Sequence, residues 1–232
     1  MHHWLPESIS TYGSDIDSVI RLVYYLTLLA FILMEGALLY MIFIGNKKKG
    51  ERASYFSGNT LKQALWTLIP LGIVIVVDIY IDYRSATTWG MVMTGADEAK
   101  IAVRVEGEQF NWHMIYPGPD ELIGTADDLS IENVLHVPVN RKVRLTLTSR
   151  DVIHSFFVPV LRLKMDCLPG RDLDVWFEAT KVGEYEIPCA ELCGFGHSGM
   201  IGRLIVHSQE DYDLWLEENW PENLTELAEN KL

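Results

Sequence analysis

Basic residues are scarce in this chain, and cysteine is scarcer still. Lysine and arginine number 19 against 32 aspartates and glutamates, a formal net charge of −13 over 232 residues. That deficit excludes a nucleic-acid-binding protein, which needs a basic face to meet phosphate. The same acidity suits a positively charged protein partner, because opposite fields speed encounter, and it also keeps a domain soluble. Only three cysteines occur, Cys167, Cys189 and Cys193, an odd number that makes a poor disulfide framework. There is no C-x-x-C, which removes the dithiol redox reading, and no C-x-x-C-H, which removes a covalently attached haem. No internal repeat or low-complexity stretch is present. The first third is also poor in turn residues, and there the long apolar runs lie.

Residues 23–44 (VYYLTLLAFILMEGALLYMIFI) are long enough as a helix to cross a hydrocarbon core of roughly 30 Å. Residues 64–81 (ALWTLIPLGIVIVVDIYI) form a second, shorter run, whose Pro70 is expected to bend the helix. The spans are set at about 20–44 and 64–82, within a segment covering 1–93. Between them stand Lys47, Lys48, Lys49, Arg52 and Lys62, whereas residues 1–18 carry no Lys or Arg. The positive-inside rule then predicts a cytoplasmic loop and both termini outside. The N-terminus lacks the charged start of a signal peptide, and the first apolar run is too long for one. Glu35 lies mid-span, where a carboxylate is costly unless it faces protein or water, which implies other membrane subunits.

From residue 94 the pattern changes to short alternating runs: 101–105, 109–116, 134–139, 143–148, 172–177, 183–187 and 201–206. In RKVRLTLTS, Val143, Leu145 and Leu147 are predicted to share one face. Many short strands without intervening helices indicate a sandwich or barrel over 94–208. Residues 209–232 read as an acidic helical tail, capped near Ser208 and broken at Pro221. The loop PGPDELIGTADD gathers Asp120, Glu121, Asp127 and Asp128. Its hard oxygens make Asp120, Asp127 and Asp128 a candidate calcium site, although the spacing is not that of an EF-hand and an exposed hairpin loop is the plainer reading. His113, His136 and His207 read as strand or interface residues rather than ligands. Trp176, Trp215 and Trp220 read as core or interface aromatics. Asn223-Leu-Thr matches a glycosylation sequon, a pattern frequent by chance.

The chemistry concentrates in CAELCGFGHSGM, with Cys189, Glu191, Cys193, His197 and Met200, and in the upstream His154 of DVIHSFFVP. Two thiolates, two imidazoles and one thioether are soft-to-borderline donors, which select copper or zinc and reject magnesium or calcium. A closed Cys₂His₂ zinc site is the rival reading. Against it, the histidines are far apart, and a methionine three residues after His197 offers the weak axial ligand that copper uses and zinc does not need. A single-copper electron-transfer site uses one Cys. The second Cys allows two thiolates to bridge two copper ions, each completed by one His. A nucleophilic Cys–His enzyme leaves Met200 and the second Cys without a role.

Over essentially its whole length the chain resembles subunit II of the haem-copper cytochrome c oxidases. The matching elements are LWTLIP in the second span, EGEQFNWHMIYPG, DVIHSFFVP, LKMDCLPGR and CAELCGFGHSGM. The resemblance implies an α + β membrane protein: a two-helix transmembrane hairpin followed by a cupredoxin-like Greek-key β-sandwich. It implies a dinuclear copper centre, CuA, held by His154, Cys189, Cys193, His197 and Met200 with the backbone carbonyl of Glu191. It further implies a magnesium ion, reached by the Glu191 carboxylate at the contact with subunit I. The implied function is to accept electrons from a c-type cytochrome, or from a haem domain of a neighbouring complex, and pass them to haem in subunit I of a proton-pumping oxidase. There oxygen is reduced to water; the chain alone is the electron-transfer module. The implied location is a bacterial inner membrane, with the copper domain on the outer side.

Two departures stand out. The family usually places a tryptophan where this chain has Phe110, at the point where the electron arrives, while Trp112 is retained. A glutamate linked to one proton-uptake path is replaced by Gln63. Cys167 falls where the family commonly has a small residue, and reads as a buried thiol. The quinol-oxidase version of the subunit lacks the cysteines and histidines found here. A nitrous oxide reductase would need a propeller that no part of this sequence can form, and a copper chaperone would need exchangeable ligands. A nitric oxide reductase subunit would present the same site.

Overall fold

The computed structural model describes residues 5–45, 55, 57–118 and 120–220. The loop cations Lys47, Lys48, Lys49 and Arg52, the Pro221 helix stop and the Asn223 sequon lie outside the described residues. The chain divides into two compact units, one of residues 15–89 and one of 1–14 with 90–232.

The first unit is a pair of long helices, α1 (Gly13–Gly45) and α2 (Leu61–Thr94). Their most apolar windows have a mean hydropathy of 2.2, and none of those windows is buried within the protein. Leu33, Met34, Phe43 and Trp66 all present most of their surface outward. Apolar surface on that scale is stable only in lipid or against other membrane proteins. Pro70 sits inside α2 without ending it. Arg84 of α2 donates to the Ser18 hydroxyl of α1 at 3.0 Å, a polar tie near the ends of the helices closest to the β-domain in sequence. Glu35 is exposed on its own chain.

The second unit is a β-sandwich. Its strands are β1 (Ile101–Glu108), β2 (Asn111–Tyr116), β3 (Leu129–Glu132), β4 (Val134–Pro138) and β5 (Lys142–Ser149), followed by β6 (His154–Val158), β7 (Leu163–Cys167), β8 (Leu173–Glu178), β9 (Gly183–Pro188) and β10 (Ile201–His207). One sheet has the order β3-β2-β1-β5-β8, a second β4-β10-β9, and β6-β7 form a separate pair. β1 pairs with β5 in parallel and β4 with β10 in parallel, while the other neighbours are antiparallel. Parallel neighbours that are not consecutive in the chain require crossover connections, which a meander does not have. The expected face holds: Val143, Leu145 and Leu147 are wholly buried, facing a core that includes Val103, Val105, Met114, Leu135, Phe177 and Leu204. Each such side chain contributes about 1.5–3 kcal/mol by leaving water.

The structure differs from the sequence expectation in three places. Residues 5–14 join the sandwich instead of the helical segment. Ile9 exchanges backbone bonds with Val160 and Thr180, and Tyr12 is buried edge-on to Trp176 at 5.2 Å. The strand expected from residue 109 starts at Asn111, because Gln109 and Phe110 make the turn out of β1. Strands β3, β6 and β7 were not expected. α3 (Gln209–Asn219) begins as predicted, with the Ser208 hydroxyl accepting from the Asp211 N–H.

Candidate metal centre

Three loops at one pole of the sandwich converge: the β1–β2 turn, the β5–β6 loop and the long β9–β10 loop. β6 positions His154 at its first residue, and a bridge from Phe156 to Cys189 holds the start of the β9–β10 loop against it. Met200 closes that loop, its carbonyl accepting from the Cys189 N–H at 3.0 Å.

Inside the loop the six predicted ligand residues come together. Cys189 Sγ lies 3.9 Å from His154 Nδ1 and 3.3 Å from the Glu191 carbonyl. Cys193 Sγ lies 3.6 Å from His197 Nδ1 and 3.8 Å from Met200 Sδ. The two sulfurs are 3.9 Å apart. That is far beyond a disulfide of about 2.05 Å, yet within reach of one ion bound to each sulfur at about 2.3 Å. Among the described residues, His154, Cys189 and Cys193 form the group of ligand atoms close enough to hold a metal. All three are buried, as is Met200. The donors present, soft sulfur with imidazole in a closed pocket, therefore fit copper. Burial first, and then the neighbouring Cys189, push the Cys193 thiol up to about 11, so a metal must displace protons to bind here.

Two residues that sequence reasoning missed orient these ligands. Asp151 Oδ1 stands 2.8 Å from His154 Nε2. A carboxylate only accepts, so Nε2 carries the proton and Nδ1 is left bare on the sulfur side. Burial works against charge on Asp151, but the bond to His154 and the N–H groups of Gln109 and Val152 outweigh it and hold its carboxyl below the usual range. Gln109 donates its side-chain amide to the Cys193 carbonyl at 2.5 Å. The Gln109 amide sits so close that a Cβ at Gly194, whose φ is +139°, would stand 2.7 Å from it.

The remaining predicted residues are placed as follows. Phe110 is half-buried, its ring against Gly194 and Gly196 of the ligand loop. Trp112, expected beside Phe110 where the electron arrives, has no exposed surface; it packs on the His154 ring at 5.9 Å and on Phe156 at 5.5 Å. Of the two, Phe110 alone reaches solvent. Cys167 is buried opposite His154 in the β6–β7 pair, and burial pushes its thiol up to about 12. In the acidic loop, Asp120 accepts from the Leu122 N–H, Asp128 from the Gly124 N–H, and Asp127 from the Thr125 hydroxyl. These carboxylates serve the turn, and among the described residues they do not gather as a ligand group. Gln63 is tied to the Ser57 hydroxyl at 3.4 Å.

A membrane hairpin carrying a Greek-key sandwich, with a buried pocket of sulfur and imidazole donors between its loops, defines a membrane-anchored, cupredoxin-like redox protein. Residues 101–208 match the family model described as cytochrome c oxidase subunit II, periplasmic domain. The chain is similar to the alternative cytochrome c oxidase subunit 2 of Bradyrhizobium diazoefficiens, 30% identical over 237 residues, covering 93% of this chain and 83% of that one. It is 31% identical over 208 residues to the probable cytochrome c oxidase subunit 2 of Rickettsia bellii, covering 83% and 74%. The solved periplasmic domain of subunit II of cytochrome oxidase of Bradyrhizobium japonicum is 29% identical, with a TM-score of 0.47, covering 52% of this chain and 94% of that one. The chain belongs to the cytochrome c oxidase subunit II family. It is thus a subunit of a cytochrome c oxidase, works with other subunits, and serves electron transfer.

Proposed function

We propose that this chain accepts electrons from a c-type cytochrome, or a haem domain of a neighbouring complex, and delivers them to haem in subunit I of a proton-pumping oxidase. The observation that carries this reading is the pair of unlinked sulfurs of Cys189 and Cys193, 3.9 Å apart, each with an imidazole Nδ1 within 3.9 Å. His154, Cys189, Cys193, His197 and Met200, with the Glu191 carbonyl, would hold a dinuclear copper centre, which supplies a one-electron store shared by two metals and two sulfurs. The chain's own residues make that store fast and selective. Asp151 fixes the tautomer of His154, and Gln109 pins the Cys193 carbonyl, so little has to move when charge arrives. The buried Trp112 and Met200 exclude water from the pocket. Phe110 offers a π surface between the pocket and solvent.

The Glu191 side chain is exposed and free to face a partner subunit, where it would reach a magnesium ion. The β-domain and both termini lie on the outer side of a bacterial inner membrane, with the lysine-rich connection inside. The test is a low-temperature electron paramagnetic resonance spectrum of the intact oxidase with metal analysis. The expected result is a seven-line copper hyperfine pattern and two coppers in this subunit. A four-line pattern, or a single zinc, overturns the reading.

A further inference from the structure

β1 and β5 lie side by side in parallel, so no tight turn joins their ends. Their register closes with Gly107 opposite Ser149, and beyond it the two stretches part. β1 turns away through Gln109 and Phe110 into β2, while β5 leads through Arg150 and Asp151 to His154. Two bonds cross the seam past that point. The Arg150 N–H donates to the Gly107 carbonyl at 2.9 Å, and the Gln109 N–H donates to Asp151 Oδ2 at 2.8 Å. The seam carries three residues that steady the pocket. Asp151 holds His154, Gln109 holds the Cys193 carbonyl, and Gly107 lies against the His154 ring.

One side chain closes the seam from outside. Glu106 and Glu108 stand two residues apart in β1, so they share a face at a spacing of roughly 6.6 Å. Arg150 reaches across to both: its Nε meets Glu106 at 2.6 Å and its Nη1 meets Glu108 at 3.0 Å. A planar guanidinium fixes the spacing of two carboxylates, which a point charge on a flexible stem does not. As a surface ion pair the cluster contributes little to stability, since Arg150 is exposed and both glutamates are half-buried. Its place in the chain is what gives it consequence. Arg150 is covalently next to Asp151, and Glu108 is next to Gln109. Any spreading of the seam draws Gln109 from Asp151, and both from the groups they hold. Arg104 supplies the contrast. It pairs with Glu106 at 2.8 Å and Asp172 at 3.0 Å, and among the described residues its ion pairs reach neither Gln109 nor Asp151.

We propose that Arg150 is a positioning residue for the metal centre: it clasps the end of β1 to the β5–β6 loop, so that Asp151 meets His154 and Gln109 meets Cys193. This rests on the reading that the pocket holds copper. Arg150 acts through Gly107, Glu108 and Gln109 on one side and through Asp151 on the other, not by contact with a ligand. Without the clasp, the His154 ring and the Cys193 peptide take a wider range of positions, and a metal held between them is held less tightly.

The experiment compares the purified, intact oxidase with its Arg150→Gln, Arg150→Lys and Arg104→Gln forms. Two quantities are read: the copper hyperfine pattern at low temperature, and copper affinity by competition with a chelator. Arg150→Gln is expected to alter the hyperfine splitting and to lower affinity about ten-fold, the small end of the effect of losing a residue that supports a metal ligand. Arg150→Lys keeps the charge without the fork and is expected to follow Arg150→Gln. Arg104→Gln removes pairs to two carboxylates on the same face, and is expected to stay within about two-fold of the parent with its spectrum unchanged. A parent-like spectrum and affinity in Arg150→Gln overturn the role of Arg150 and leave the copper reading in place. Full recovery in Arg150→Lys shows that charge and not the clasp matters, and overturns it as well. So does an equal change in Arg104→Gln, which makes the effect one of the whole sheet. If Arg150→Gln fails to assemble, Arg150→Lys against Arg104→Gln decides by the same two readouts. A parent oxidase without the two-copper pattern ends the copper reading, and the role of Arg150 with it.

Discussion

His154 is held from two directions, and each makes a separate demand. From outside, Asp151 accepts its Nε2 proton at 2.8 Å. Removing such a partner from a metal-bound imidazole ordinarily weakens metal binding by about ten- to a hundred-fold. Asp151→Ala is therefore expected to lower copper affinity in that range, measured by competition with a copper chelator. Unchanged affinity would mean that packing alone orients the ring. From inside, Gly107 leaves room for the imidazole: a Cβ there would stand 2.8 Å from Cδ2 and 2.9 Å from Cγ of His154. Gly107→Ala must therefore turn or displace the ring. The expected result is an altered copper hyperfine pattern together with about 1–3 kcal/mol of overpacking, read by resonance and by thermal unfolding. A parent-like spectrum would show that the strand yields instead. The candidate donors were legible in the sequence as residue types, because donor softness and chain order are written there, and the fold brings their side chains together. Gln109 was not, since it acts on Cys193 across 84 residues of chain, and Asp151 was not, since an aspartate three residues before a histidine is no signal until the fold turns both inward.

Among the elements, α3 shows how a histidine can matter without a metal. His136 of β4 and His207 of β10 stand on neighbouring parallel strands, with Nδ1 of one 2.8 Å from Nε2 of the other. Their rings are nearly coplanar, 14° apart with centroids at 5.1 Å, which is an edge-to-edge hydrogen bond. The Trp215 indole of α3 lies flat on His136 at 4.8 Å, and Tyr212 and Tyr116 complete the contact. Burial first, and then His207, bring the His136 imidazole down from 6.5 to about 4. Burial also lowers His207, against the pull of Asp211. A base whose folded pKa is depressed binds fewer protons folded than unfolded between those two values. Its stabilisation is whole above about pH 6.5 and is lost as pH falls toward about 4. The protection factors of the α3 amides, taken relative to intrinsic exchange at each pH, should therefore fall as pH drops across that window, and His136→Phe should flatten the response. Equal protection at pH 7 and pH 4 would refute the linkage.

Periodicity exposed the strands that have one wet face and hid those that do not. Val143, Leu145 and Leu147 alternate with polar neighbours in β5 and were read correctly. β6 is buried on both faces through most of its length, so HSFFV shows no alternation. β3 is a four-residue edge strand behind an acidic loop, too short for a periodic signal. Residues 5–14 escaped for a related reason, since Ile9 and Tyr12 are anchors without a repeat around them.

At the scale of the whole molecule, those two anchors have a topological consequence. Residues 5–14 and 90–220 fold as one unit, so the chain leaves that unit into α1 and returns to it from α2. A folded β-domain with paired arginines and carboxylates on its surface cannot sit in lipid. Two apolar helices that start and finish at it are each long enough to cross the bilayer, and a hairpin is the crossing that fits them. The charge rule decides only which way the hairpin points. Lys47, Lys48, Lys49, Arg52 and Lys62 stand in the connection, with nothing comparable before Arg21, so the rule predicts a connection on the inside. A cysteine introduced at Ser57 should resist a membrane-impermeant thiol reagent in intact spheroplasts and react after lysis, whereas one at Leu214, exposed on α3, should react at once. The opposite pattern would invert the subunit. Reaction of both sites in intact cells would break the hairpin itself, and with it the packing of Ile9 and Tyr12 that requires the two ends to meet.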